Sequence, residues 1–433
     1  MTVEEEKELG DKLAKELQQK LEMIDDHPTR AYVDKIGRRL LEETHDFRFP
    51  YRFYVVKEME PNAFAIPGGH IFITSGLIRL VHEEDELAGV IGHEIAHSVL
   101  RHIAKAMERA KRISLATLAA IIAGAFLSRD AKGTGALATS AMAMAQSLML
   151  KYTRENEVEA DQKGTKYLMD AGYDPRAMVT FLKKIYRWHR FVSPNVPTYL
   201  STHPGVDFRI THLSDIFSNT PEGSSRHPLA AGDLKKIQIR LSIQERGEVA
   251  SINHFSALLQ KKPGNINALY GLGGAYIAAG RAKEAIPILT DALKASPHDG
   301  YIMRELGIAY FQVKDIGRAL QSLQAALSSF PHDTTILYYL AQGHQEEGRW
   351  EQSLSLYRRV VELEPQRVGI YHNLGVVYSM MGQLGPAHEN FGLYFREKEK
   401  WRTACFHFRK AMGYYVDKDK RKQLEALIRE CER

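Results

Sequence analysis

Two histidines and a glutamate lie in one apolar helical turn: His93, Glu94 and His97, within GVIGHEIAHSVLRH from Gly89 to His102. On a helix, residues i and i+4 share a face, so His93 and His97 aim two imidazole nitrogens at one point. Glu94 is rotated off that pair and reaches the open side of an ion held there. This is the H-E-x-x-H arrangement of a metal site. A catalytic zinc takes three protein ligands and keeps one position open. The two cysteines, Cys405 and Cys431, lie near the C-terminus and build no Cys-rich zinc site. A third ligand is available in ENEVEAD, Glu155–Asp161. On a second predicted helix, Glu157 and Asp161 share a face while Glu159 falls elsewhere. Glu157 completes a His-His-Glu set, and Asp161 accepts the other ring N–H of a ligating histidine. The plain alternatives are a core helix with satisfied histidines and a solvated acidic face.

These residues need elements to carry them. The pattern predicts helices over Glu4–Leu21 and Pro28–Glu43, then strands at Tyr51–Val56, Asn62–Ile66 and His70–Thr74, with a turn at Pro67-Gly68-Gly69. A helix follows from Glu84 to Arg109, carrying His93, Glu94 and His97. His102 comes five residues after His97, leaves the ligand face and reads as structural. Two apolar small-residue stretches, Ile113–Ser128 and Ala136–Leu150, flank the polar segment Arg129–Gly135. Each is shorter than the ~20 residues a bilayer span needs. They read as core helices or as a hairpin making peripheral membrane contact. Helices resume at Thr153–Asp170 and Pro175–Arg190. A loop, Val192–His203, leads to a last helix, Val206–Phe217, and a polar linker over 218–232.

Beyond the linker the chain repeats. Pro263, Pro297, Pro331 and Pro365 recur at the ~34-residue period of tetratricopeptide repeats. Leu272-Gly273, Leu306-Gly307, Leu340-Ala341 and Leu374-Gly375 keep that interval, as do Tyr276, Tyr310, His344 and Tyr378. Gly280, Gly348 and Gly382 fit too, with Lys314 as the exception. Small residues let paired helices approach, and stacking buries what one repeat leaves exposed. Copies start at Gly264, His298, His332 and Gln366. Asp233–Lys262 reads as a degenerate first pair and Trp401–Glu432 as a cap. Cys405 and Cys431 fall on an antiparallel pair, as a disulfide or as two buried thiols. The domains are therefore 1–217, 218–232 and 233–433. With 433 residues, 44% hydrophobic, 26% charged and a formal charge of +5, the chain is globular and gives no case for nucleic acid. The N-terminus shows no basic n-region or apolar h-region, so the chain is cytosolic or begins after a removed export signal.

Several motifs occur in a telling order. They are Asn62-Ala63-Phe64-Ala65, Gly68-Gly69, Ser75-Gly76-Leu77, His93-Glu94-Ile95-Ala96-His97, Asn156-Glu157-Val158-Glu159-Ala160-Asp161, and Thr202-His203-Pro204 with Arg209. Together they resemble the gluzincin metallopeptidases of the HtpX and CAAX prenyl protease family, over residues 1–217. The repeats that follow resemble the architecture of a periplasmic bacterial subgroup, the BepA type. The resemblance implies an α+β zincin-type peptidase domain, mostly helical with a small sheet, followed by an all-α tetratricopeptide solenoid. It implies one zinc on His93, His97 and Glu157, with Glu94 as general base and Asp161 behind the ligands. It places His203 on a loop over the site, able to take the fourth zinc position and hold the enzyme self-inhibited. The lead Tyr152-Thr153-Arg154-Glu155-Asn156 departs from the usual Ser-Arg and leaves the helix start open.

The implied activity is hydrolysis of peptide bonds in extended or misfolded proteins. Arg209, His203 and Tyr152 are the candidate oxyanion donors, undecided among themselves. Substrate lies along the edge strand Asn62, Ala63, Phe64 and Ala65 by β-augmentation. The repeats bind a protein partner or substrate segment, for which the resemblance suggests the outer-membrane assembly machinery. The rivals are a repeat scaffold or chaperone with a latent peptidase site, and a membrane-associated protease held by Ile113–Leu150.

Overall fold

The computed structural model describes residues 1–109, 119–120, 152–191, 198–218, 233–365, 367 and 369–432. They form two compact units, Met1–Leu241 and Ser242–Arg433. Apart from residues 119–120, the expected hairpin at Ile113–Leu150 lies outside the described residues, as does the linker beyond residue 218. No helix among the described residues is long and apolar enough to cross a membrane.

In the first unit, helix α1 (Val3–Lys20) starts from a capping box in which Thr2 and Glu5 satisfy each other's backbone N–H. Asp26 caps α2 (His27–Glu42), with Pro28 in its first turn. Strands β1 (Arg52–Val56), β2 (Ala63–Ile66) and β3 (His70–Thr74) form one sheet in the order β1-β3-β2. β1 runs parallel to β3 and β2 antiparallel to it. Leu13, Leu17 and Leu21 cluster with Phe64 and Phe72 of the sheet. Tyr54 and Phe64 stack on Phe72 with ring centroids 4.5 and 5.0 Å away. Such aromatic contacts add stabilisation beyond the area they bury.

A short helix α3 (Ser75–Leu80) leads to α4 (Glu84–Val99), which is buried on every face from Glu86 to Ser98. A helix apolar all round belongs in a core. α4 packs against β2, α6 (Arg154–Asp170) and α7 (Ala177–Phe191). It meets α6 at Gly92 and Gly164. A Cβ on Gly164 would stand 2.9 Å from the His93 nitrogen and 3.0 Å from the Gly92 carbonyl, so no side chain separates the two backbones. α6 begins at Arg154 because Thr153 and Asn156 form a capping box, which supplies the start that the sequence left open.

The single helix expected over Glu84–Arg109 is two. Arg101 takes a left-handed φ of 57°, and α5 (His102–Arg109) starts afresh. That conformation costs roughly 1–2 kcal/mol in a residue with a Cβ. The Arg101 guanidinium offsets the cost by donating to the buried Glu6 carboxylate at 2.5 Å and the Met1 carbonyl at 2.8 Å. The unit continues through α8 (Thr198–Thr202) and α9 (Val206–Phe217). It then runs past the expected boundary at 233 into α10 (Asp233–Arg246). There the Gln238 side chain donates to the carbonyls of Ile78 and Val81 at 3.0 and 2.8 Å, and Arg240 pairs with Asp26.

In the second unit, helices starting at Ala282, Ile316, Trp350 and Leu384 recur every 34 residues, each paired with a helix before it. The Leu-Gly slot has a visible cause: a Cβ on Gly273 would meet Leu289 at 2.4 Å, and one on Gly307 would meet Leu323 at 2.6 Å. Cys405 and Cys431 are joined as a disulfide, with Cα atoms 5.9 Å apart. Gly280, Gly348 and Gly382 end their helices at φ 70°, 70° and 72°, and Lys314 adopts φ 65° in the same slot.

Three substitutions test these constraints by chemical denaturation. Gly164→Ala is expected to cost about 1–3 kcal/mol by overpacking. Gly317→Ala, where a Cβ meets nothing within 4 Å, loses none. Lys314→Gly is expected to stabilise by about 1 kcal/mol by removing left-handed strain. The ion pair it gives up, Lys314–Glu346 at 3.1 Å, joins two exposed side chains and contributes little.

Candidate metal centre

The close crossing at Gly92 and Gly164 sets the first turn of α6 beside the histidines of α4. Nε2 of His97 lies 3.0 Å from Nε2 of His93. Glu157 comes within 3.5 Å of His93 Nε2 and 3.4 Å of His97 Nε2. His203 arrives on the turn after α8, where its backbone N–H donates to the Tyr199 carbonyl at 2.8 Å. Its Nδ1 lies 3.2 Å from Glu157 and 3.4 Å from His93 Nε2. One ligand atom from each of His93, His97, Glu157 and His203 lies within 4.8 Å of the others, and all four residues are buried. Among the described residues no other such group of three or more occurs.

Opposed charges surround these atoms. Asp161 sits behind the ligands, with Oδ1 2.9 Å from His93 Nδ1. Arg209, fully buried on α9, donates to both Asp161 oxygens through Nε at 2.7 Å and Nη2 at 2.6 Å. Its Nη1 lies 2.6 Å from Glu157. Burial pushes the Glu157 carboxyl up, but Arg209 and His203 outweigh it and hold it well below the usual carboxylate range. The Asp161 carboxyl is likewise pushed up by burial and brought down by Arg209 and His93. His97 is driven well below the usual imidazole range by burial and by His93. Glu94 differs. Burial raises its carboxyl, against the pull of His203 and His93, and neither of its oxygens has a donor in hydrogen-bond geometry.

This donor set fits a divalent cation. Two imidazole Nε2 atoms face each other beside a carboxylate held ionised, away from water. Convergent lone pairs of this kind are costly unless a proton or an ion lies among them. Hard-to-borderline nitrogen and oxygen donors are those zinc takes. Tyr152 stacks on His97 with centroids 3.6 Å apart, and Tyr199 stacks on His203 at 4.4 Å. The two rings close the site on one side.

The structure brings together His93, Glu94, His97, Glu157, Asp161, His203 and Arg209, as the motifs grouped them. It differs on two roles. Arg209 was a candidate oxyanion donor, but its guanidinium is committed to Asp161 and Glu157. Of the four residues Asn62, Ala63, Phe64 and Ala65, only Ala63 and Ala65 turn their backbone away from β3, and both are buried. Asn62 pairs with Thr74, the Asn62 carbonyl accepting the Thr74 N–H at 2.9 Å. With the register Phe64↔Phe72, alternation then leaves Ala63 and Ala65 facing outward. The Ala65 N–H pulls on the Glu94 carboxyl, which places that edge beside the site. His102 and Glu159 were set aside on helical geometry. The break at Arg101 instead brings His102 Nδ1 within 2.9 Å of His97 Nδ1, and His102 Nε2 within 3.1 Å of Glu159. A histidine ending an apolar run, next to an arginine able to leave the helix, was the only signal.

Known proteins resemble both units of the chain. Residues 28–217 match peptidase family M48. Residues 249–302 and 277–342 match the tetratricopeptide repeat, and 344–382 the TPR repeat. A beta-barrel assembly-enhancing protease of Yersinia pestis is 29% identical over 350 residues, covering 72% of this chain and 71% of that protein. The protein of that name in Escherichia coli K12 is 33% identical over 211 residues, covering 48% and 43%. A mitochondrial metalloendopeptidase OMA1 of Schizosaccharomyces pombe is 29% identical over 189 residues, covering 44% and 53%. The chain thus spans only 43% of the Escherichia coli relative's own length.

The charge balance predicts a pH signature in metal-free protein. The Glu94 pKa is raised on folding, so its contribution is favourable below the unfolded value and is lost as pH rises through the folded one. Ionised Glu94 therefore destabilises the fold at neutral pH. Glu94→Gln is expected to raise the melting temperature at pH 7 by roughly 2–4 °C, about what 1 kcal/mol gives in a domain of this size. The advantage shrinks as pH falls toward ~4. Scanning calorimetry after chelator dialysis reads both.

Proposed function

We infer, for a chain that carries a peptidase family M48 domain followed by tetratricopeptide repeats, a zinc-dependent endopeptidase with a protein-binding arm. The observation that carries this reading is the buried convergence of His93, His97 and Glu157 beside the carboxylate of Glu94, which lies 3.4 Å from His203 Nε2. His93, His97 and Glu157 would hold the zinc, which would lower the pKa of a water toward neutrality and polarise the scissile carbonyl. Glu94 takes the proton of the attacking water and returns it to the departing amine nitrogen. Asp161 and Arg209 hold His93 and Glu157 in place.

Tyr152 is our choice of oxyanion donor. Its hydroxyl is buried without a hydrogen-bond partner, whereas Arg209 is committed elsewhere. Substrate adds as a strand along β2, pairing with the outward backbone of Ala63 and Ala65. Backbone pairing reads extension more than side chains, so unfolded or misassembled segments are the substrate class. In this conformation His203 stands where a substrate carbonyl must come. His203 therefore has to withdraw before catalysis, and the resting site is self-inhibited.

The repeats bind a protein partner or a substrate segment. Relatives named beta-barrel assembly-enhancing protease support a role in β-barrel assembly, and the bacterial periplasm is the compartment we propose for it. A repeat scaffold with a latent site is the competing reading, and one experiment separates them. Purified protein is assayed for zinc content and for casein cleavage, before and after chelator dialysis and zinc return. Cleavage is expected to disappear with the metal and to return with it. Glu94→Gln is expected to keep zinc and lose about 10²–10⁴-fold in rate. A Glu94→Gln protein that cleaves like the parent overturns the enzyme reading. One that cleaves nothing yet keeps the whole cellular role favours the scaffold.

A further inference from the structure

The two helical histidines have different supports. His93 Nδ1 rests on a buried carboxylate, Asp161, at 2.9 Å. His97 Nδ1 faces another imidazole, His102 Nδ1, at 2.9 Å, and no carboxylate. Two Nδ1 atoms at that separation form a hydrogen bond only if one carries the proton and the other does not. The far side of His102 decides which. Its Nε2 lies 3.1 Å from a Glu159 carboxylate oxygen. An ionised carboxylate only accepts, so His102 Nε2 carries the proton. Neutral His102 then has a bare Nδ1, and His97 Nδ1 must be the donor. That leaves His97 Nε2, the atom 3.0 Å from His93 Nε2, with its lone pair free toward the metal position. The opposite arrangement would set a bare Nε2 of His102 against an anion.

We propose that His102 and Glu159 form a relay that locks His97 in its ion-binding tautomer and ring orientation, making His102 a positioning residue of the metal centre. This rests on the reading that His93, His97 and Glu157 hold the ion. The relay exists because of the helix break. On a continuous helix, His102 would point about 140° away from His97. Arg101, held by Glu6, turns the chain so that the two rings meet at a centroid distance of 5.1 Å. His102 is buried, whereas Glu159 is 59% exposed at its side chain. One ligand's support therefore ends at the protein surface, and the other's ends in the core. Partners of this kind typically carry 10–100-fold in metal affinity.

The test measures zinc affinity of the full chain by competition with a chromophoric chelator, together with imidazole ¹⁵N chemical shifts of the zinc-free protein. In the parent, His97 is expected as the Nδ1–H tautomer. His102→Leu is expected to weaken zinc binding about 10–100-fold and to release His97 into a tautomer mixture, with an unchanged far-ultraviolet spectrum. His102→Asn, whose amide both donates and accepts, should recover most of the loss. Glu159→Gln should bind as the parent does, and Glu159→Leu should weaken binding in the same direction as His102→Leu. A His102→Leu protein that binds zinc like the parent and keeps the His97 tautomer overturns the relay. If the parent itself takes up no zinc, the metal-centre reading fails first, and the two failures are told apart.

Discussion

The contact between Gly92 and Gly164 is the constraint on which the rest of the peptidase unit depends. Each ligand residue is ordinary by itself: two histidines one turn apart, a glutamate in the first turn of another helix. They become a site only because α4 and α6 touch backbone to backbone. A side chain at either glycine would push the helices apart, and a carboxylate has a short reach. Burial of α4 on every face then removes water, so the charges depend on one another.

Such a site is electrostatically expensive, and its composition reflects that. Glu157 and Asp161 are ionised and buried, which is tolerated only with a partner of opposite charge in good geometry. Arg209 supplies it through a planar fork that meets both oxygens of Asp161 and reaches Glu157. Glu94 stands outside that fork: its Oε1 lies 3.4 Å from His203 Nε2, and burial raises its carboxyl. The same residues thus divide into two carboxyls held ionised by Arg209 and one that burial raises. Perturbed carboxyls with opposite shifts in one cavity mark such a division of labour.

The repeat unit follows a different logic. Its stability is local: small residues at fixed intervals admit a neighbour's Leu289 or Leu323, and each helix pair meets the next. Periodicity there is so strong that Lys314 takes the left-handed conformation of its glycine counterparts. Stacking outweighs the local preference of one residue. In the peptidase unit the reverse holds, since no period links His93 to Glu157 or His203.

That difference explains what could be read in advance. Most helices, the three strands, the 34-residue repeat and the candidate set His93, His97 and Glu157 are legible in the sequence, because periodicity and i, i+4 spacing are local properties of a chain; the short helices α3 and α8 are not, and α8 falls where a loop over Val192–His203 is expected. The capping residues Thr2, Asp26 and Thr153 are legible for the same reason. Only tertiary structure decided the break at Arg101, since its left-handed turn depends on Glu6 and the Met1 carbonyl, some hundred residues earlier. The folded chain alone bound Arg209 to Asp161, turned the backbone of Ala63 and Ala65 but not Asn62 away from β3, and brought His102 back onto His97. Those outcomes follow from which distant groups share a dry interior, where an unmet charge or N–H costs more than a bent helix.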